Sequence, residues 1–223
     1  MVTGTVNATF VFADIAGFTA LTEAHGDEEA AALVAEFCAA VSAELPASGG
    51  TQVKTIGDAL MLTIPDPGAA VLLGLRIVNE LMLGHGAPAV RVGLHHGPAV
   101  ARDGDYFGAA VNLAARVSAE ANGGEVLVTG HTAALAPQLE GVIYDPRGRR
   151  ALRNVREPVE LFAAVRAGDA CEGPLPHDPV CRMAVDPDRA AGRLMFDGVA
   201  YFFCSLACAG HFALHPERFV DQP

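Results

Sequence analysis

The sequence predicts an α+β fold in which helices pack on an antiparallel sheet, followed by a small Cys-rich α+β module. Segments with the apolar patterns of strands and helices follow one another in the order strand–helix–strand–strand–helix–strand. The composition changes after Arg166, and the short remainder holds three of the five cysteines. With 223 residues, the chain is long enough for one medium-sized domain and one small domain.

The first strand, helix and hairpin are indicated by alternation, periodicity and turn residues. Residues 5–12 alternate between apolar and polar side chains, which predicts a strand. Asp27 begins a helix with an apolar stripe, and this helix is expected to end before Gly49-Gly50. Gly57-Asp58 is the turn of a predicted hairpin whose second strand covers residues 59–64.

The later elements complete a ferredoxin-like βαββαβ unit and extend its sheet. Pro67 opens a second helix that reaches about Leu83, and residues 90–94 form the fourth strand of the unit. The remaining predicted elements are a helix over 108–121, a strand over 126–129, a short helix after Gly130, and strands near Val142 and over 159–165.

Composition and charge exclude several classes of function. Arginine and lysine together number 15 against 26 acidic residues, a net charge of −11 that disfavours binding to nucleic acids or anionic membranes. No uninterrupted apolar run approaches the roughly 20 residues of a membrane span, and the N-terminus lacks the pattern of a signal peptide. We therefore expect a soluble, cytoplasmic protein with no membrane and no nucleic-acid partner. In a reducing cytosol, grouped thiols indicate metal or redox sites rather than structural disulfides.

Two carboxylates are expected to meet at one edge of the sheet. Asp14 follows directly on the first strand, and Asp58 lies in the hairpin turn. If the hairpin lies beside the first strand, both carboxylates and the backbone carbonyl of Ile15 can bind Mg²⁺, which prefers hard oxygen ligands. The tight loop over residues 17–19 has free N–H groups that can hold a phosphate. The alternative is that both aspartates serve only as turn residues.

Two further pairs of polar residues suit a nucleotide. Asn112 and Arg116 are four positions apart on a predicted helix and therefore share one face, where they can orient a ribose and neutralise phosphoryl charge. Lys54, the one lysine in the chain, and Asp105 offer a donor and an acceptor that together can read the edge of adenine. The alternatives are a solvated helix face and a surface strand residue.

Three segments together resemble a known family. FADIAGFT (12–19), VKTIGDALM (53–61) and GDYFGAAVNLAAR (104–116) resemble the three signature blocks of class III adenylyl/guanylyl cyclase catalytic domains. The blocks occur in order and at compatible spacing, and the resemblance covers about residues 5 to 166. It implies that the protein cyclises a nucleoside triphosphate to a 3′,5′-cyclic nucleotide and pyrophosphate.

The resemblance implies roles for the two aspartates at the sheet edge and for the pair of Lys54 and Asp105. Asp14 and Asp58, with the carbonyl of Ile15, match the ligands of two Mg²⁺ or Mn²⁺ ions. Lys54 and Asp105 match the pair that selects adenine, where guanylyl cyclases resemble a Glu and Cys arrangement instead. The expected substrate is therefore ATP.

The resemblance also implies that the active sites are shared between two chains. Asn112 matches the asparagine that orients the ribose, and Arg116 matches the arginine that stabilises the transition state. Arg153 corresponds to the basic phosphate contact, although ALRNVREPVELF is looser than the family's pattern. In the family one chain supplies the aspartates and the other supplies the base, ribose and arginine contacts. A single copy of each element implies a head-to-tail homodimer with two equivalent sites.

Three cysteines of the C-terminal segment have the spacing of a metal site. Cys181 precedes Cys204 by 22 intervening residues, and Cys208 follows after three more, so the last two lie one helical turn apart. Soft thiolate ligands favour Zn²⁺ or Cu⁺. Buried core thiols are the alternative. Candidates for the fourth ligand are His177, His211, His215 or a water molecule.

This segment resembles the YHS domain of the TRASH-like metal-binding group. The resemblance rests on DPVCRMAVD (178–186), YFFCSLAC (201–208) and HPERFV (215–220), and Arg182 stands where these domains often have Gly. We therefore expect a cyclase domain over 1–166, a linker over 167–176 and a YHS metal-binding domain over 177–223.

The sequence thus predicts an adenylate cyclase that is tuned by metal binding to its C-terminal domain. One alternative is a dimeric metal sensor that has kept the cyclase fold without its activity. The other alternative is a guanylate cyclase. The filled positions of the three motifs argue against the sensor, and Lys54 with Asp105 argues against a guanine substrate.

Overall fold

The larger domain is built round one twisted sheet. The computed structural model describes residues 4–81, 84, 86–167 and 175–220. Within them the strands of this sheet are β1 (Gly4–Ile15), β2 (Thr51–Ile56), β3 (Ala59–Ile64), β4 (Val90–Arg102), β5 (Asp105–Phe107), β6 (Val126–Thr129), β7 (Val142–Arg150) and β8 (Val159–Arg166). Their spatial order is β2-β3-β1-β4-β6-β8-β7, and β5 pairs with β4. The neighbours are antiparallel except for β4 and β6, which run parallel.

Five helices pack round this sheet. They are α1 (Phe18–His25), α2 (Asp27–Ser48), α3 (Pro67–Arg76), α4 (Ala109–Glu120) and α5 (Gly130–Leu135), and a π-helical turn over Ile77–Leu81 continues α3. The predicted α+β class is confirmed, since β1, α2, β2, β3, α3 and β4 form the βαββαβ unit in the expected order. The sequence did not predict α1, which lies between two glycines with positive φ, Gly17 and Gly26.

The two faces of the sheet carry different helices. Val11, Ala13 and Ile15 point to the face covered by α2 and α3. Phe10 and Phe12 point to the opposite face, which α4 covers. The two helices of the βαββαβ unit therefore share one face of the sheet, and α4 lies on the other. Because side chains alternate along a strand, Asp14 belongs to the α4 side.

A glycine allows α4 to approach the sheet closely. A Cβ atom at Gly93 in β4 would lie 2.0 Å from the backbone nitrogen of Ser118 in α4. This distance is far inside van der Waals contact, so another residue at this position would push the helix away. Gly93 therefore sets the position of the helix that carries Asn112 and Arg116.

Among the described residues, helix α2 is the one helix that is both long enough and apolar enough for a membrane span. It has 22 residues and a stretch of mean hydropathy 1.5, so it meets the length and composition of a membrane span. In the structure Phe37, Val41 and Leu45 pack on the sheet, and the first turn carries three acidic residues. Within the described residues this helix contacts β2, α1, α3 and the π-helical turn.

The small domain packs on the start of the large one. It contains β9 (Gly192–Phe196), β10 (Val199–Phe203), α6 (Leu206–Leu214) and α7 (Glu217–Val220). Leu21 of α1 and Ala30 of α2 share one buried apolar cluster with Phe203 and Phe212. Backbone hydrogen bonds also join the domains, among them Gly86 N–H to Ala184 O at 2.8 Å. Most of the predicted linker, residues 168–174, lies outside the described residues.

Candidate functional site

Asp14 and Asp58 converge at one edge of the sheet, as the sequence predicted. Asp14 pairs with Ala59 in the β1–β3 register, which places the adjacent turn residue Asp58 beside it. Burial and, next in importance, the negative charge of Asp14 together raise the pKa of Asp58 to about 6. The side chain of Ile15 is buried on the opposite face, so its backbone carbonyl is the group it offers at this edge.

An arginine that the sequence reasoning missed holds one of these carboxylates. Arg91 lies opposite Asp14 in β4 and donates to its Oδ2 from Nε at 2.9 Å and from Nη2 at 2.6 Å. The β1–β4 register would have revealed this pair, but sequence patterns do not give a register between strands 77 positions apart. Arg91 therefore offsets the negative charge of Asp14 at the edge where the two carboxylates meet.

The carboxylate pair fits a divalent metal site. Two acidic groups at this edge repel each other when both are ionised, and a bound cation would relieve that repulsion. The oxygen donors of Asp14, Ile15 and Asp58 are hard ligands of the type that Mg²⁺ and Mn²⁺ prefer.

The structure also brings together Lys54 and Asp105. Lys54 Nζ of β2 donates to Asp105 Oδ2 of β5 at 2.5 Å. This hydrogen bond holds the pKa of Asp105 below its ordinary value. The backbone N–H of Tyr106 donates to the other carboxylate oxygen at 2.8 Å, and the Tyr106 ring packs 5.5 Å from that of Phe10. The donor and the acceptor are thus held side by side above the α4 face.

The remaining predicted site residues are exposed. Asn112 and Arg116 lie one turn apart on the outer surface of α4. Arg153 is exposed in the turn between β7 and β8. Because these side chains face outward, they are accessible to a substrate or to a second copy of the chain.

A cleft of about 370 Å³ lies between the two domains, next to the carboxylate pair. Gly17 and Arg91 line it from the large domain, and His177 and Arg182 line it from the small domain. Arg182 has φ 64°, the conformation that favours the Gly found there in related domains, and its Cγ lies 2.9 Å from where a Cβ of Gly17 would be. The small domain therefore forms one wall of a cleft that Arg91 and Arg182 line.

The three predicted thiols form a compact cluster. Cys204 Sγ lies 3.4 Å from Cys181 Sγ and 3.8 Å from Cys208 Sγ. The buried carboxylate of Asp178 accepts hydrogen bonds from the backbone N–H groups of Cys204 at 2.9 Å and Val180 at 2.8 Å, which fixes the loops that carry the thiols. Hydrogen bonds from Cys181 and Cys204 hold the pKa of Cys208 far below its ordinary range. These thiols fit a soft metal ion.

Both segments match known families. Residues 2–163 match the adenylate and guanylate cyclase catalytic domain, and residues 177–223 match the YHS domain. Both resemblances drawn from the motifs are therefore confirmed.

Several cyclases are similar to the chain. It is 37% identical over 166 residues to a pH-sensitive adenylate cyclase of Mycobacterium tuberculosis, a match that covers 73% of this chain and 42% of the relative. It is 39% identical over 120 residues to an adenylate cyclase of Streptomyces griseus, which covers 53% of this chain and 30% of that protein. The chain thus spans less than half the length of these relatives.

Two solved structures support the fold. The adenylyl cyclase CyaB of P. aeruginosa is 25% identical, with a TM-score of 0.65 over 74% of this chain and 96% of that chain. An adenylate cyclase of Trypanosoma brucei is 26% identical, with a TM-score of 0.64 over 75% of this chain and 92% of that chain.

Proposed function

Because this chain belongs to the adenylate and guanylate cyclase catalytic-domain family, we propose that it is an adenylate cyclase, which converts ATP to 3′,5′-cyclic AMP and pyrophosphate. The observation that carries this proposal is the convergence of Asp14 and Asp58 at one edge of the sheet. A sheet edge with two acidic groups and an arginine suits a triphosphate that arrives with divalent cations.

The reaction is an in-line displacement at the α-phosphorus. The ribose 3′-oxygen forms a bond to this phosphorus, the bond to the β-phosphate oxygen breaks, and pyrophosphate leaves with the bonding electrons while the hydroxyl proton passes to solvent. Two divalent cations held by Asp14, Asp58 and the Ile15 carbonyl would supply Lewis acidity to the hydroxyl and the phosphates. Arg116 stabilises the charge that develops on the phosphoryl group, and Asn112 orients the ribose.

Adenine is the base that the pair of Lys54 and Asp105 suits. Lys54 donates to a ring nitrogen of adenine, and Asp105 accepts from the exocyclic amino group. Guanine presents a carbonyl oxygen where adenine presents that amino group, so Asp105 would face another acceptor. The adenylate cyclases among the relatives support this choice of base.

The site is completed by a second copy of the chain. Asn112 and Arg116 are exposed on α4, and each motif occurs once in the sequence. We place the carboxylates of one protomer opposite the base, ribose and arginine contacts of its partner, which makes two equivalent sites in a homodimer.

The thiol cluster supports a second role for the chain. Cys181, Cys204 and Cys208 suit Zn²⁺ or Cu⁺, and the domain that carries them forms a wall of the cleft beside Arg91. We propose that metal binding tunes the cyclase. If the site at Asp14 and Asp58 proves inactive, the chain would serve as a metal sensor without catalysis.

The test is cyclic nucleotide formation by the purified chain with ATP or GTP and Mg²⁺ or Mn²⁺. The proposal predicts cyclic AMP from ATP, at least about a hundredfold less from Asp58→Asn, and normal activity from Asp103→Asn, which removes an exposed carboxylate of the same domain. Cyclic GMP as the main product would make the chain a guanylate cyclase. No product from a folded dimer, with or without Zn²⁺, would support the sensor.

The tuning role is tested on the full chain with Cys204→Ser. Addition of Zn²⁺ should change the cyclase rate of the wild type and leave that of the variant unchanged. An identical response of both proteins would contradict the role of the thiol cluster.

A further inference from the structure

A histidine of the catalytic domain lies against the thiol cluster of the small domain. His25 is the last residue of α1, and its Nε2 is 3.5 Å from Cys204 Sγ. The ligand atoms of His25 and the three cysteines all lie within 4.8 Å of one another. Three cysteines and a histidine are a complete set of four ligands for a structural Zn²⁺ site.

The spacing of these atoms is that of a tetrahedral metal site. Zn–S bonds of about 2.3 Å and Zn–N bonds of about 2.0 Å place neighbouring ligand atoms about 3.5–3.8 Å apart. The cluster shows 3.4 Å between Cys181 and Cys204 Sγ, 3.8 Å between Cys204 and Cys208 Sγ, and 3.5 Å from Cys204 Sγ to His25 Nε2. Small adjustments would therefore suffice to bind an ion.

A carboxylate orients the imidazole for this role. Glu29 Oε1 of α2 lies 3.4 Å from His25 Nδ1, the ring nitrogen that faces away from the cysteines. Metal-bound histidines commonly donate their second N–H to a carboxylate, which fixes the tautomer and leaves the other nitrogen free to ligate. The side chain of His25 is 11% exposed, whereas that of Glu29 is 54% exposed.

The three histidines that the sequence suggested as fourth ligands lie outside this cluster of ligand atoms. His211 and His215 are exposed on α6 and just beyond it, and His215 Nδ1 lies 3.5 Å from a carboxylate oxygen of Glu217. His177 lines the interdomain cleft and forms a β-bridge with Ala184.

We propose that His25 is the fourth ligand, so that one metal ion binds between the two domains and links α1 to the small domain. Helix α1 begins directly after Gly17, which lines the cleft beside Arg91. The N-terminal end of α1 already lies against Arg182, and metal binding would fix its other end at His25. This inference concerns metal binding and does not depend on which reaction the catalytic domain performs.

Cobalt absorption of the reduced full-length chain tests the ligand set. Wild type, His211→Ala and His215→Ala should bind one Co²⁺ per chain with the intense visible bands of a tetrahedral site. The His25→Ala spectrum should change, and Zn²⁺ binding in competition with a chelator should weaken at least about tenfold. His25→Cys, which restores a fourth soft ligand, should recover tight binding. An unchanged spectrum and affinity in His25→Ala, or their loss in His211→Ala or His215→Ala, would overturn the proposal.

Amide hydrogen exchange distinguishes a metal link between α1 and the small domain from an effect of the metal that is confined to the small domain. Zn²⁺ should slow amide exchange in α1 of the wild type and of His211→Ala, and should leave α1 of His25→Ala unaffected. Equal slowing in wild type and His25→Ala would contradict the link.

If metal-free His25→Ala does not fold, the Glu29→Gln variant is used instead, because the exposed side chain of Glu29 tolerates the change. About tenfold weaker Zn²⁺ binding in that variant supports the orienting role, and unchanged binding contradicts it.

Discussion

Lys54 and Asp105 are 51 positions apart and are joined by a hydrogen bond, and we propose that this pair selects the base of the substrate. Removal of the ammonium leaves Asp105 without this donor and removes one contact to adenine. We expect Lys54→Ala to lower kcat/KM for ATP about 10- to 100-fold, since a hydrogen bond to a charged group contributes about 1.5–3 kcal/mol.

Arg102→Ala is the matched control, because it removes an exposed positive charge next to the same short strand. Steady-state kinetics with ATP and GTP measure both variants. Equal losses in Lys54→Ala and Arg102→Ala would mean that net charge, rather than base recognition, explains the effect.

His95 makes the stability of the large domain sensitive to acid. Burial lowers its pKa from 6.5 to about 4, helped by the charges of His131 and His96, and its Nδ1 lies 2.8 Å from Thr129 Oγ1. The folded protein therefore keeps this ring neutral, whereas the unfolded chain takes up a proton below pH 6.5. Stability is fully present above that pH and falls by on the order of 3 kcal/mol as the pH decreases towards 4.

Urea unfolding of the wild type and His95→Gln as a function of pH measures this contribution. The variant should lose less free energy of unfolding between neutral pH and about pH 4.5. His215→Gln, which alters an exposed histidine, serves as the control. If the free energy of unfolding depends on pH in the same way in wild type and His95→Gln, His95 is not the source of the acid sensitivity.

Residue types and spacing were enough to predict the contacts that follow directly from the βαββαβ order of elements. Asp14 meets Asp58 because the hairpin pairs beside β1, and this neighbourhood follows from the predicted topology. Arg91 and His25 were missed because their contacts depend on a strand register and on domain packing. A single sequence contains neither kind of information in its local patterns.

At the scale of elements, the closeness of α4 to β4 gives a sharp prediction. Gly93→Ala should lower the free energy of unfolding by at least about 2 kcal/mol, because the methyl group has no space against the backbone of Ser118. Cyclic AMP formation should fall as well, since α4 carries Asn112 and Arg116.

Gly210→Ala is the control for this substitution. Nothing lies within 4 Å of a Cβ at Gly210 in α6, so alanine should leave stability unchanged or raise it slightly. Chemical denaturation measures both variants. A Gly93→Ala protein as stable as the wild type would show that α4 can shift without cost.

Local patterns predicted most elements of the large domain, but they missed α1 and β5 and did not give all of the limits. The strand over 126–129 agrees with β6, whereas β4 continues beyond 94 to Arg102, where it pairs with β1 on one side and β5 on the other. Helix α1 escaped prediction because its eight residues are too few for a clear period. The position of α4 on the opposite face follows from tertiary packing around Phe10 and Phe12.

At the scale of the whole molecule, the two domains meet at the start of the catalytic domain. The apolar cluster that includes Leu21 and Phe212 buries one side of α1, and the thiol cluster lies at the end of the same helix. The small domain thus contacts the segment that directly follows Asp14. The tuning that we propose would therefore act through α1, which contacts both the apolar cluster and the thiol cluster of the small domain.

We propose that ATP is cyclised at sites shared between two copies of the chain. Asp14→Asn and Arg116→Ala should each be inactive alone, because each lesion affects both sites of a homodimer. A mixture should recover about one quarter of wild-type cyclic AMP formation, since half of the dimers are mixed and each mixed dimer has one intact site.

Mixing Asp14→Asn with Asp58→Asn is the control, because both lesions fall on the carboxylate half and no intact site can form. Two affinity tags, one on each variant, establish that mixed dimers are present. Recovery in the first mixture and none in the second is the result that the account predicts. An inactive first mixture in which tagged mixed dimers are demonstrated would contradict the shared site.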